Sequence, residues 1–196
     1  MRVLRLLAAA LLAAALPGAA FAQDARRGAD LAAHLCVNCH GADGRSQTQG
    51  VPSLAGQQTE FITLQLILFR EGIRQVPAMT PFAANLPDRD IEDLAAFFAS
   101  LPAGPPDDRE PRDAARFAAG QALSGPRNCA VCHMPNYAGR NQVPRLTGQR
   151  EDFLAQTLKD YRDGRRIGAD PQMNGAVAGL SDADLIALAH YLAQHD

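Results

Sequence analysis

Apolar positions recur along this chain at helical spacing, and the polar interruptions between them come in the same order twice. Residues 59–72 ("TEFITLQLILFREG") and 150–164 ("REDFLAQTLKDYRDG") carry apolar side chains three and four apart. Both close on a glycine, Gly72 and Gly164, as helices commonly end. Earlier amphipathic stretches, "DARRGADLAAHL" and "RDAARFAAGQAL", predict helices at 24–35 and 112–123. A last helix in each series, "DIEDLAAFF" from Asp90 and "DLIALAHYL" from Asp184, follows "LPDRD" or "LSDAD". There Pro87 or Asp88, and Ser181, stand where a helix is capped. No alternating strand pattern competes with these stretches, so the expected fold class is all-α.

The doubling is an internal repeat. "VPSLAGQ" (residues 51–57) matches "VPRLTGQ" (residues 143–149) at an offset of 92, and so do Phe61 and Phe153, Leu66 and Leu158, Phe69 and Tyr161. Arg70 meets Arg162, Gly72 meets Gly164 and Arg74 meets Arg166 at that same offset of 92. Two extra residues then move the offset to 94, where Met79 meets Met173 and Leu86 meets Leu180. The join, "LPAGPPDDREPRD", holds four prolines and several charges, a composition that stays semi-extended and cannot continue a helix. The expected organisation is therefore a domain at 23–103, a linker at 104–111 and a second domain at 112–196. Each is small for a self-sufficient core, and a large buried cofactor would supply the missing apolar mass.

Residues 1–22 read as something other than fold. Arg2 and Arg5 precede an unbroken Leu/Ala run from Leu6 to Leu16, and small residues follow at Ala20 and Ala22. This is the pattern of a secretory signal peptide cleaved after Ala22. As a retained anchor it would be short, since a span needs roughly 20 apolar residues. Without it the balance is 17 basic against 21 acidic residues, which speaks against a nucleic-acid partner. Export also bears on the four cysteines, because free thiols do not persist in an oxidising compartment.

Those cysteines occur only in "CVNCH" (residues 36–40) and "CAVCH" (residues 129–133). Cysteines three apart lie on one face of a helical turn, so Cys36 with Cys39, and Cys129 with Cys132, can each add to the two vinyl groups of one haem. The next residue, His40 or His133, is placed to send an imidazole to the iron. A redox dithiol has no need of that histidine, and zinc would require the two pairs to converge or further ligands. Met79 and Met173, matched in the two copies, are the candidate sixth ligands; buried packing is the alternative for such methionines. Thioether opposite imidazole raises the reduction potential and closes the iron to exogenous ligands. Met134 directly follows His133 and is read as packing.

Other repeated residues have supporting roles available. Pro52 and Pro144 are candidates to present a carbonyl to the second ring nitrogen of each histidine, or else form plain rigid turns. Arg70, Arg74, Arg162 and Arg166 either meet haem propionates or form a solvated cationic helix end. Gly28 and Gly120 would allow close approach of the last helix through Phe97 or Tyr191. His34, His190 and His195 have no counterparts and read as surface or packing residues.

Both CxxCH motifs, both P-x-L-x-G-Q segments, "CHGADG", the helix ends "FREGIR" and "YRDGRR" and the matched methionines together resemble the dihaem cytochrome c4 family, over residues 23–196. The resemblance implies two tandem class I cytochrome c domains, two covalently bound haem c groups with His/Met ligation, and an electron-transfer protein rather than an enzyme. It further implies the bacterial periplasm and redox partner proteins, typically a cytochrome bc complex as donor and a terminal oxidase as acceptor. Peripheral association with the inner membrane is compatible with that location. The rival reading is a cytochrome subunit of a periplasmic dehydrogenase, such as flavocytochrome c sulfide dehydrogenase. "CHMPNYAG" departs from "CHGADG" and leaves the shape of the second loop open.

Overall fold

The computed structural model describes residues 23–166 and 171–195; the expected signal peptide at 1–22 lies outside the described residues. Among the described residues ten helices run in chain order, five in each half. The first half holds α1 (Ala25–Leu35), α2 (Val37–His40), α3 (Thr59–Arg70), α4 (Thr80–Ala83) and α5 (Asp88–Ser100). The second holds α6 (Ala114–Ser124), α7 (Cys129–His133), α8 (Glu151–Arg162), α9 (Gln172–Val177) and α10 (Asp182–Ala193). The described residues contain no strand, only an isolated bridge between Arg140 and Val143. None of the described helices is long and apolar enough to cross a membrane.

Local chemistry sets the helix ends. Asp24 and Asp113 accept from backbone amides of the first turns of α1 and α6. Ser181 and Asp184 form a capping box at α10, whereas Pro87 begins α5 with no side-chain cap bond. Gly72 and Gly164 both take φ of 68°, and the amides of Arg74 and Arg166 then bond back to Leu68 and Asp160.

In each half the first and last helices cross closely, α1 on α5 and α6 on α10, and the third helix packs on the last, α3 on α5 and α8 on α10. Two separate apolar clusters result. One centres on Ile62, Ile91, Leu94 and Phe98, the other on Leu154, Leu185, Leu188, Tyr191 and Leu192. Each such side chain contributes roughly 1.5–3 kcal/mol when fully buried. The fully buried set is short for each half.

The join between the halves is pinned rather than loose. Gln194 Nε2 donates to the Glu110 carbonyl at 2.7 Å, and Arg112 donates to the Gln194 carbonyl at 2.5 Å. Arg150 ties three segments together, reaching the Ser46 carbonyl at 3.1 Å, Asp108 at 2.8 Å and Asp152 at 3.1 Å. Asp152 in turn accepts from the Gly50 amide at 2.9 Å.

Candidate haem sites

Each cysteine motif occupies a single helical turn. The amides of Cys39 and His40 both bond back to the Cys36 carbonyl, at 3.2 and 3.0 Å, so the two thiols and the imidazole are fixed by local backbone alone. In the second copy Asn128, with φ of 55°, starts the turn that runs from Cys129 to His133. The first cysteine of each pair packs against its half's apolar cluster and the second is exposed. Burial pushes the Cys36 thiol up to about 11.

Both histidines are buried, and each ring is held by one bond. His40 Nδ1 donates to the Pro52 carbonyl at 2.9 Å, and His133 Nδ1 donates to the Pro144 carbonyl at 2.9 Å. A carbonyl can only accept, so the proton sits on Nδ1 and the lone pair is left on Nε2. Burial lowers the pKa of both rings, and the proline carbonyls oppose this only in part. Neutral imidazole is the metal-binding form. The two prolines therefore do more than stiffen a turn.

The divergent second loop keeps the shape of the first. Met134 (φ 71°) stands where Gly41 (φ 84°) does, and Tyr137 (φ 53°) where Gly44 (φ 73°) does. The Gly44 carbonyl receives the amides of Leu54 and Ala55; the Tyr137 carbonyl receives those of Leu146 and Thr147. Two ordinary residues thus adopt left-handed backbone, at a cost of order 1 kcal/mol each. Tyr137 offsets it by burial and a 2.7 Å bond to Ser124 Oγ.

Met79 caps the short α4, which packs on α3, and Met173 lies in α9, which packs on α8 and the second apolar cluster. Around Met173, Asn174 Nδ2 donates to the carbonyls of Tyr161 and Arg166 at 2.6 and 3.0 Å. Arg127 holds the carbonyls of Ala176 and Ala178 from the other side, at 3.1 and 3.0 Å.

The four repeated arginines divide into two kinds. Arg70 bonds Asp88, Glu71 and the Leu86 carbonyl, while Arg162 bonds Asp182, Asp163 and the Leu180 carbonyl. This pair clamps the end of the third helix to the start of the last one, so its cations are already matched by carboxylates. Arg74 and Arg166 have no hydrogen-bonded carboxylate among the described residues. Their guanidiniums lie over Phe69 and Tyr161, 4.5 and 4.8 Å from the ring centroids, and both donate to Gln65 Oε1, at 2.6 and 3.3 Å. Burial and the charge of Arg166 disfavour the charged form of Arg74, and Arg74 Nε is buried with no partner.

His34 is exposed, and His190 is structural: Nδ1 donates to Glu151 at 2.7 Å and Nε2 accepts the Asp113 amide at 3.0 Å. His195 packs edge-on against Tyr137 and Tyr191. Nothing in the repeated segments singles out Gln57 and Gln149, yet both cross between the halves. Gln57 bonds the amide and carbonyl of Arg145 at 2.7 and 3.1 Å, and Gln149 bonds those of Ser53 at 2.8 and 2.9 Å. The equivalence of the two segments, read as a docking surface, was the available signal.

The residues present fit haem. Two pairs of free thiols on single turns, two buried imidazoles with Nε2 unengaged, and buried orphan N–H groups on Arg74 and Arg145 match a group with two vinyls, an iron and two carboxylates. A cytochrome c family model matches residues 117–196, and a model described as cytochrome c oxidase, cbb3-type, subunit III matches residues 23–98. Over 195 residues the chain is 34% identical to cytochrome c4 of Pseudomonas aeruginosa, covering 96% of this chain and 97% of that protein. The chain belongs to the cytochrome c4 family. The solved structure of reduced recombinant cytochrome c4 from Pseudomonas stutzeri superposes with a TM-score of 0.80 at 32% identity, covering 89% of this chain and all of that one. A "thiosulfate dehydrogenase electron acceptor" of Stutzerimonas stutzeri is 36% identical over 177 residues, 85% of this chain and 81% of that protein. As a member of that family the protein is a dihaem electron carrier built from two tandem cytochrome c domains, with two covalently bound haem c groups, and not an enzyme.

Proposed function

We propose that this protein works in the periplasm, passing electrons from a cytochrome bc complex to a terminal oxidase. In this reading Cys36, Cys39, Cys129 and Cys132 form the thioether links. His40 with Met79, and His133 with Met173, are the axial ligands of the two irons. The domains run over 23–103 and 112–196, joined by 104–111, and residues 1–22 direct export. The bound haems supply one-electron redox chemistry. The chain's own residues orient the imidazoles, close the sixth positions and fix the spacing of the two halves. Arg74 and Arg166 would meet the haem carboxylates, which would offset two buried like charges that both donate to Gln65, Arg166 donating also to Thr157.

The observation that carries the carrier reading is the matched pair of sites. Each half has one buried histidine bonded to a proline carbonyl at 2.9 Å, and one methionine in register with the other's. A carbon monoxide titration of the reduced protein, with a haem count per chain, tests it. Two haems that both ignore carbon monoxide fit closed His/Met sites. Binding at one haem would show that Met79 or Met173 does not hold its iron.

A second donor is favoured by the relatives described as thiosulfate dehydrogenase electron acceptors. Rapid mixing of the oxidised protein with a reduced bc complex and, separately, with thiosulfate-reduced thiosulfate dehydrogenase ranks the two donors by rate. A permanent complex with a flavoprotein during purification would instead favour a dehydrogenase subunit.

A further inference from the structure

One peptide group stands between each crossing glutamine and each candidate iron-binding histidine. The Pro52 carbonyl and the Ser53 N–H belong to the same amide. Its oxygen accepts from His40 Nδ1 at 2.9 Å, while its N–H is taken by Gln149 Oε1 at 2.8 Å. In the other half the Pro144 carbonyl accepts from His133 Nδ1 at 2.9 Å, and the Arg145 N–H of that amide is taken by Gln57 Oε1 at 2.7 Å. Both glutamines are buried, 5% and 7% exposed. Their oxygens are also pinned from behind by the amides of Gln58 and Arg150, at 3.0 and 2.9 Å. The aim of each side chain is therefore fixed before it meets the other half.

Hydrogen bonds in a chain polarise one another. A peptide whose N–H is engaged carries more negative charge on its oxygen. That oxygen then draws harder on the Nδ1 proton, and the imidazole becomes a stronger donor at Nε2. Stronger donation favours the oxidised iron. We propose that Gln57 and Gln149 are positioning residues that act across the interface, Gln149 through Ser53–Pro52 on His40 and Gln57 through Arg145–Pro144 on His133. Each half thereby lowers the reduction potential of the haem in the other. This rests on His40 and His133 being the iron ligands. It makes the docked state of the halves a determinant of both potentials, in a protein whose family model matches split at the same boundary.

The test uses the full haem-loaded chain with Gln149→Met and Gln57→Met. The two potentials are resolved by spectroelectrochemistry, and the haems are assigned by the ring protons of each ligand histidine. Gln149→Met is expected to raise the potential of the N-terminal haem alone, by about threefold in its reduction equilibrium, or about 30 mV at about 59 mV per tenfold. Gln57→Met is expected to do the same to the C-terminal haem alone. In the reduced state the Nδ1–H resonance of His40 moves upfield in the first variant and that of His133 in the second. Gln58→Leu is the control, because it removes a 2.8 Å bond to the Ala138 carbonyl across the same interface without touching either peptide. Equal shifts of both haems in all three variants would mean simple loosening of the interface and would overturn the proposal. So would a shift confined to the substituted half, or no shift. If the ligand assignment itself fails, the unsubstituted reduced protein already shows it: the His40 and His133 ring protons then lack large haem ring-current shifts.

Discussion

Gly28 lies so close to Asp93 that a Cβ on the glycine would stand 2.0 Å from the Asp93 carbonyl oxygen. Gly120 stands in the same relation to Ala187, at 2.1 Å, and the Cβ atoms of Phe97 and Tyr191 crowd the two positions further. The crossing of first and last helices in each half depends on these missing side chains. Alanine gains about 1 kcal/mol of helix propensity at either site. Forcing two backbones apart in a packed crossing costs more, so Gly28→Ala and Gly120→Ala should each lose about 2 kcal/mol net. Chemical denaturation checks this, and each substitution should lower the midpoint of its own half first.

Asp93 sets the acid limit of the first half. Its side chain is 1% exposed, and it accepts from the Asp24 amide at 2.7 Å and from Arg27. Burial pushes its carboxyl up, but the amide and the guanidinium outweigh burial and hold it below the usual carboxylate range. The unfolded chain therefore takes up the proton first. The stabilisation is complete above the unfolded value of about 4 and is lost as pH falls through the lower folded value. Asp93→Asn should be less stable at neutral pH and show a flatter acid profile in thermal melts between about pH 5 and pH 2.

Arg74 and Arg166 converge on Gln65 from different halves, and neither bonds a carboxylate among the described residues. A cation near the iron favours the state that holds the extra electron. Arg74→Met and Arg166→Met should therefore lower the potential of the neighbouring haem, which redox titration reads directly. An unchanged potential in both variants would leave the arginines as interface packing.

Charge is uneven along the chain. Residues 23–103 carry six basic and nine acidic side chains, and residues 112–196 carry ten basic and nine acidic. The single lysine, Lys159, is bonded to Asp182 at 2.9 Å, so the cationic surface is arginine. Donor and acceptor that dock on different ends would respond differently to salt. Electron-transfer rates measured against ionic strength should give unequal slopes for the two partners; equal slopes would argue for one shared docking face.

Much of the site was legible because its chemistry is local. Cys36, Cys39 and His40 need one helical turn, and that turn follows from a five-residue pattern whatever surrounds it. Ser181 as a cap, Gly72 and Gly164 as helix ends, and Gly28 and Gly120 as crossing points follow for the same reason: each depends on backbone geometry within an element or on one repeated contact. The arginines were legible only as a group of four. Their division into clamps, Arg70 and Arg162, and interface cations, Arg74 and Arg166, depends on where Asp88 and Asp182 fall in space.

The sequence by itself determined the all-α repeat, the two CxxCH motifs and the matched methionines, since each is written in short-range spacing. The tertiary structure alone decided that Gln57 reads Arg145 and Gln149 reads Ser53. Those pairs are 88 and 96 residues apart, and a side-chain bond at that separation requires the two halves to be in contact. The repeat made the two segments alike. Docking made each the partner of the other, because two copies of one surface can satisfy buried amides reciprocally only when they meet about a near two-fold axis.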